Sequence, residues 1–414
     1  GLGADLFPKA TALVLLVALA IELGALVLAR KVPLPRNCAR LGGVLFTAAF
    51  AGLFLATNIY DPLDAIQTTR GVGRLGAIRG YLGPWFAEWY YLQDDRVLAR
   101  ALELRDEKHD RLTPLESEIP IHKHLVILQA ESLDTNILGY RVAGQEVTPF
   151  LNKLRAMSMY YRVRSFHVNG SADADFNALT GTRGSDHENT YVIPGYPYEN
   201  TTPQLLAQAG FACYSFHGAS GEFYNRRDSF EKMGFSGIYF QEELQNQFGL
   251  KVGGWGINDR DLLTAAALEM RQATRPACQF IITLTTHIPY NLLNPAEEEI
   301  FKPASSMPQR YINNMRYLDN CLRDYITALG AGTTIMIYAD HPTEDESFPE
   351  CDRHGDRQYI PCMIYDSDQD LSRLQKTRDN PLATDGSLTF VDVVNYLRGQ
   401  IARQQPVRSA KAEQ

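Results

Sequence analysis

Four apolar runs in this chain each end on a residue able to bind a cation or carry a proton. "HLVILQA" runs into Glu131 and Ser132, and "FACYSF" into His217. "QFIITLT" runs into Thr286 and His287, and "TTIMIYA" into Asp340 and His341. Carboxylates and imidazoles suit divalent cations and general acid–base work. One histidine after a strand is usually an ordinary loop residue. Four separate strand ends supplying Glu, His, His and Asp-His point instead to one site.

A serine completes the set. In "HVNGSADADF", His167 to Phe176, Ser171 stands between a predicted strand and a predicted helix that Gly181 stops. Two readings stand side by side. As an N-cap, its hydroxyl accepts from amides of the first turn. As a nucleophile, it sits at a helix start that favours phosphate, and a nearby dication eases its deprotonation. Asp173 and Asp175 read as ordinary first-turn acids. A cation held by Glu131, Ser171, Asp340 and His341 has mostly hard oxygen donors and one imidazole. Mn²⁺ is the first choice for such a set, with Zn²⁺ or Mg²⁺ as alternatives. Such an ion supports phosphoryl transfer, which rests on positioning and charge neutralisation.

The elements that must position these residues alternate. The four apolar runs and "IPCMIY" read as buried strands, and "MYYRVRSFHV" as a further β-branched and aromatic one. Helices are signalled by Thr148 with Pro149, and by Thr202 as cap with Pro203 and a stop at Gly210. Strands interleaved with helices predict an α/β fold with a mostly parallel sheet. In such sheets, ligands bind beyond the carboxyl ends of the strands.

The amino-terminal part has another texture. Ala10 to Ala29 is a twenty-residue run with Glu22 as its one charge, and Leu41 to Asn58 is uncharged. Each approaches the length that crosses ~30 Å of hydrocarbon. Between them "RKVPLPRNCAR" carries Arg30, Lys31, Arg36 and Arg40, which places that loop in the cytoplasm and the rest outside. The expected organisation is two spans over 1–58, a juxtamembrane linker over 59–120, an extracytoplasmic domain over 121–400 and a polar tail over 401–414. Within the linker, "GYLGPWFAEWYYL" suits either an interfacial segment or a packed helix. The chain opens on Gly1 rather than Met, which fits a truncated chain with further spans upstream.

A formal charge of −8 argues against a general nucleic-acid binder. Of six cysteines, five follow the proposed spans, and no CxxC pair suggests a thiol zinc site. Buried free thiols, with at most one bridge, are expected.

The order "LQAES", "NGSADADF", "FHGASGEFYNRR", "GGWGINDRDLL", "TLTTHIPY", "YADH" resembles the extracellular domain of lipoteichoic acid synthases. These are membrane-anchored phosphoglycerol transferases of the alkaline phosphatase and sulfatase superfamily. The resemblance runs from His124 to Tyr365 and more loosely to Tyr396. It implies an alkaline phosphatase/sulfatase-like domain preceded by transmembrane helices. It further implies that Glu131, Asp340 and His341 bind metal, and that Ser171 stands where the family has a threonine nucleophile. His217, Tyr224 and Arg226 fall on the head-group pocket, Tyr224 replacing a usual tryptophan. His287 matches a substrate-side histidine. His354 resembles one that phosphoethanolamine transferases place near the metal.

Serine for threonine, two spans where five are usual, and Pro342 with "TEDE" after the Asp-His pair depart from the pattern. A sulfatase formylglycine needs an arginine that "SADAD" lacks. The expected activity moves phosphoglycerol from a phospholipid donor, phosphatidylglycerol, to an extracytoplasmic glycan or polymer. Alternatives are a phosphoethanolamine transferase, a phosphodiesterase or sulfatase-like hydrolase, or an inactive membrane-anchored scaffold.

Overall fold

A computed structural model describes residues 92, 95–106, 119–291, 299–343, 348, 359–368 and 388–403. The apolar runs of 1–58, most of the linker, "TEDE" beyond Thr343, Cys38, Cys351, His354 and the tail from 404 lie outside the described residues. Among the described residues, no helix is long and apolar enough to cross a membrane. Contacts divide the chain into two units, 1–100 with 193–195, and 101–192 with 196–414. The boundary falls within helix α1 (Asp95–Asp106). The second unit carries the sheet and the candidate site.

That sheet has seven strands. Its central members are β1 (His124–Ala130), flanked by β8 (Thr333–Ala339) and β7 (Ala277–Ile282). Outward from β7 lie β5 (Ala212–His217) and β6 (Gly237–Tyr239); outward from β8 lie β9 (Tyr359–Asp366) and β4 (Met159–Arg164). Pairing is parallel from β8 through β6, while β9 runs antiparallel to both its neighbours. A mostly parallel sheet is therefore present. Its central strands are mostly apolar, as burial on both faces requires; every residue of β7 and β8 is buried, Gln279 included. A separate two-stranded ribbon joins β2 (Arg141–Val142) and β3 (Gln145–Glu146).

The helices in chain order are α2 (Pro149–Met157), α3 (Ser171–Thr180), α4 (Thr202–Gln208), α5 (Arg226–Met233) and α6 (Gln241–Phe248). They continue with α7 (Asp259–Gln272), α8 (Met307–Leu329) and α9 (Phe390–Arg403). The caps of α2 and α4 differ from the sequence reading. Thr201, not Thr202, caps α4 through a capping box with Gln204. At α2 the Thr148 hydroxyl makes no cap; Asp319, reaching over from α8, accepts from the amides of Phe150 and Leu151 at 3.0 and 2.7 Å. Cys213, Cys278, Cys321 and Cys362 are buried and, among the described residues, form no disulfide.

Register is what builds the site. Ala130 and Ala339, the last residues of β1 and β8, are partners across the sheet. Glu131 and Asp340 therefore emerge side by side. The end of β7 lies level with them, since Ile282 pairs with both Gln129 and His217. Helix α3 then brings its start over this edge. Gln129 on β1 donates to the Ser171 carbonyl at 3.3 Å and accepts from the Tyr338 hydroxyl at 2.7 Å.

Candidate active site

Ser171 is the first residue of α3, and the cap position belongs to Gly170, whose positive φ of 70° suits glycine. The serine hydroxyl makes no hydrogen bond to the first helical turn. It donates instead to Glu131 Oε2 at 3.2 Å. The side chain thus faces the strand ends.

Around Glu131 the donors converge. One oxygen each from Glu131 and Asp340 and one ring nitrogen of His341 lie within 4.8 Å of one another. Asp340 Oδ1 accepts from the amides of Ser132 and His341, both at 2.8 Å. Its Oδ2 is buried with no hydrogen-bond partner. The Nδ1 of His341 lies 2.9 Å from the Pro342 carbonyl, which can only accept, so Nδ1 carries the proton. Nε2 is thereby left to face Glu131 and Asp340, at 3.7 and 3.5 Å. Imidazoles that ligate metals commonly have this arrangement. Burial first, and then the charge of Asp340, push Glu131 up to about 8. Two buried carboxylates, an orphaned oxygen, an oriented imidazole and a hydroxyl together fit a divalent cation.

Beside this cluster opens a cavity of about 160 Å³, lined among others by Ser171, His217, Tyr224, Arg226, Trp255 and His287. His217 is buried; its Nδ1 donates to the Ile282 carbonyl at 3.1 Å. Burial, then the Arg226 charge, lower its pKa to about 3, so the ring is neutral and Nε2 is an acceptor. Arg226 is 2% exposed. Its Nε donates to Asp175 Oδ2 at 2.7 Å, and its guanidinium lies 5.0 Å from the Tyr224 ring centroid. Although burial opposes its charge, Asp175 raises the arginine pKa and keeps it a cation. Tyr224 adopts a left-handed backbone (φ 60°) that is unusual for an aromatic residue. Asn189 holds its carbonyl at 3.3 Å. Trp255, half exposed, packs on His287 with ring centroids 5.1 Å apart.

The structure therefore brings together Glu131, Ser171, His217, Tyr224, Arg226, His287, Asp340 and His341; His354 lies outside the described residues. Sequence reasoning passed over three neighbours. Asp175 is fully buried on Arg226, whereas it read as an ordinary first-turn acid. His167 stands 6.0 Å from the His341 ring, its pKa lowered to about 4 by burial and then by His341. Trp255 sits in "GGWG", whose glycines were the available signal.

Comparisons with known proteins bear on the family and the fold. The Sulfatase family profile matches residues 123–390. A lipoteichoic acid synthase of Staphylococcus saprophyticus is 28% identical over 236 residues, 53% of this chain and 36% of that protein. Lipoteichoic acid synthase 1 of Bacillus subtilis is likewise 28% identical over 233 residues, 53% of this chain and 36% of that one. The chain thus spans little over a third of the length of these curated relatives. Among solved structures, the lipoteichoic acid synthase LtaP from Listeria monocytogenes superposes with a TM-score of 0.52 at 21% identity. That match covers 60% of this chain and 66% of LtaP. The Streptococcus pyogenes phosphoglycerol transferase GacH gives 0.50 at 16% identity, over 75% of this chain and 91% of GacH. These two likenesses concern the fold. With the family profile covering well over half of the sequence, this chain belongs to the sulfatase family.

Proposed function

We propose that this chain is a metal-dependent phosphotransferase, moving phosphoglycerol from phosphatidylglycerol to an extracytoplasmic glycan or polymer. The observation that carries the reading is the Ser171 hydroxyl resting on Glu131, within the cluster completed by Asp340 and His341. Glu131, Ser171, Asp340 and His341 would hold the cation, Mn²⁺ in the first instance. Bound there, it supplies positive charge that favours the serine alkoxide and offsets charge on the phosphoryl oxygens.

Ser171 Oγ forms a bond to phosphorus as the bond to the diacylglycerol oxygen breaks. Diacylglycerol leaves as the alcohol, with the proton the serine gave up. A hydroxyl of the acceptor then attacks phosphorus, the bond to Ser171 breaks, and the serine regains a proton. Arg226 donates to the head group, and neutral His217 accepts from it through Nε2. His287, backed by Trp255, closes the substrate side. The apolar runs of 1–58 would anchor the chain with this domain outside the cytoplasm.

Glycerol is favoured over ethanolamine by the lining. Among the described residues, Glu131 is the one acid of the cavity, while the buried Arg226 cation stands in its wall. An ammonium would meet like charge without a free carboxylate to pair with. Supplying the Mn²⁺-loaded chain with phospholipids labelled in the head group tests this. Release of labelled phosphoglycerol is expected; preferential release of phosphoethanolamine would overturn the assignment.

A further inference from the structure

We infer that Asp175 is a positioning residue, fixing the Arg226 guanidinium at a set distance from Ser171; this rests on the reading of Arg226 as a head-group ligand. Ser171 and Asp175 are the first and fifth residues of α3, so one helical turn places them on the same side. The separation along the axis is about 6 Å, at 1.5 Å per residue. Both oxygens of the carboxylate are engaged. Oδ2 takes the Arg226 Nε proton at 2.7 Å, and Oδ1 accepts from the Tyr191 hydroxyl. Asp175 and Arg226 are 0% and 2% exposed.

Arg226 Nη2 is buried and has no hydrogen-bond partner, although the residue lines the cavity. A guanidinium held at Nε with a donor to spare is set up to bind a ligand there. The loop that carries it is tied to the same frame. Asn225 donates to the Tyr191 carbonyl at 2.8 Å, and Tyr191 is the residue whose hydroxyl reaches Asp175. Helix α3, the turn at Thr190–Val192 and the start of α5 thus meet at one carboxylate. Any head group bound by Arg226 is held at a fixed distance from the attacking oxygen.

The test measures calorimetric binding of glycerol phosphate to the Mn²⁺-loaded full chain, with metal content determined in parallel. Asp175→Asn is expected to weaken binding about 10- to 100-fold, the worth of a hydrogen bond to a charged group, with metal content unchanged. Tyr191→Phe, which leaves the ion pair in place, should weaken it only a few-fold. Combining Asp175→Asn with Arg226→Lys should lose no more than the worse single change, because both act through one contact. Where Asp175→Asn does not yield folded protein, Asp175→Glu and Tyr191→Phe carry the same comparison. If the unmodified chain takes up no glycerol phosphate, the head-group reading falls, and this inference with it. If the unmodified chain binds and Asp175→Asn binds equally well, the positioning role alone is refuted. Additive losses, or loss of metal, would assign Asp175 a merely structural role.

Discussion

Replacing Asp340 by asparagine should stabilise the metal-free protein while removing its response to metal. In the parent, Asp340 Oδ1 accepts two amide protons, and an asparagine oxygen can accept the same two. The side-chain amide then occupies the place of Oδ2, which has no hydrogen-bond partner. What disappears is the repulsion between two buried carboxylates. At the 4.8 Å limit that bounds the cluster, two unit charges repel by roughly 3–4 kcal/mol at an effective dielectric of about 20. The pH dependence follows from Glu131, whose folded pKa of about 8 lies above its ordinary 4.5. A raised carboxylate pKa means that the folded state holds the proton more tightly. Stability from this group is therefore full at low pH and is lost as pH rises from 4.5 through about 8. The gain from Asp340→Asn should accordingly be small at pH 6 and reach about 2–4 kcal/mol at pH 9, roughly 3–7 °C in melting temperature. Saturating Mn²⁺ should reverse the order, since a ligand at about a thousand times its Kd adds about 4 kcal/mol to the parent alone. The assay is thermal unfolding of chelator-treated protein at both pH values, with and without Mn²⁺. An asparagine variant less stable than the parent at pH 9 without metal would refute the reasoning.

Two further outcomes are expected. His217 has a folded pKa of about 3 against an ordinary 6.5, so its contribution is lost as pH falls below 6.5, by about 2 kcal/mol at pH 5. The stability difference between the parent and His217→Asn should therefore change by that amount between pH 8 and pH 5; a constant difference would sink the assignment. A Cβ on Gly256 would lie 2.3 Å from the Gly218 carbonyl oxygen and 2.8 Å from Leu284, and a backbone oxygen cannot swing away. Gly256→Ala should cost about 1–3 kcal/mol and disturb Trp255. Gly253→Ala, with nothing within 4 Å, should melt like the parent.

The sheet was legible because strands buried on both faces are mostly apolar, and β1 and β8 begin and end where their apolar runs do. The same property made the strand ends readable, and with them the placement of Glu131, His217, Asp340 and His341. The antiparallel course of β9 was not legible, since its apolar composition matches that of the parallel strands. The cap of α3 was misplaced by one residue because "NGSAD" offers several capping residues in succession. Asp175 was the larger omission. An acid in a first helical turn has the same local signature whether solvated or buried, and its partner Arg226 lies 51 residues away. Only the resemblance singled out Arg226 and Tyr224, because the left-handed backbone that turns Tyr224 has no sequence mark beyond the asparagine after it.

The central claim is that Ser171 is the nucleophile, and mass spectrometry of the Mn²⁺-loaded chain quenched during turnover of phosphatidylglycerol tests it most directly. The predicted result is phosphoglycerol on the peptide bearing Ser171. The mark should be absent from Ser171→Ala, whose stability should stay within about 1 kcal/mol of the parent because the hydroxyl makes no helix cap. Ser171→Thr keeps the hydroxyl and should retain the mark. Full turnover by a folded Ser171→Ala protein, or phosphoglycerol attached at another residue, would contradict the claim.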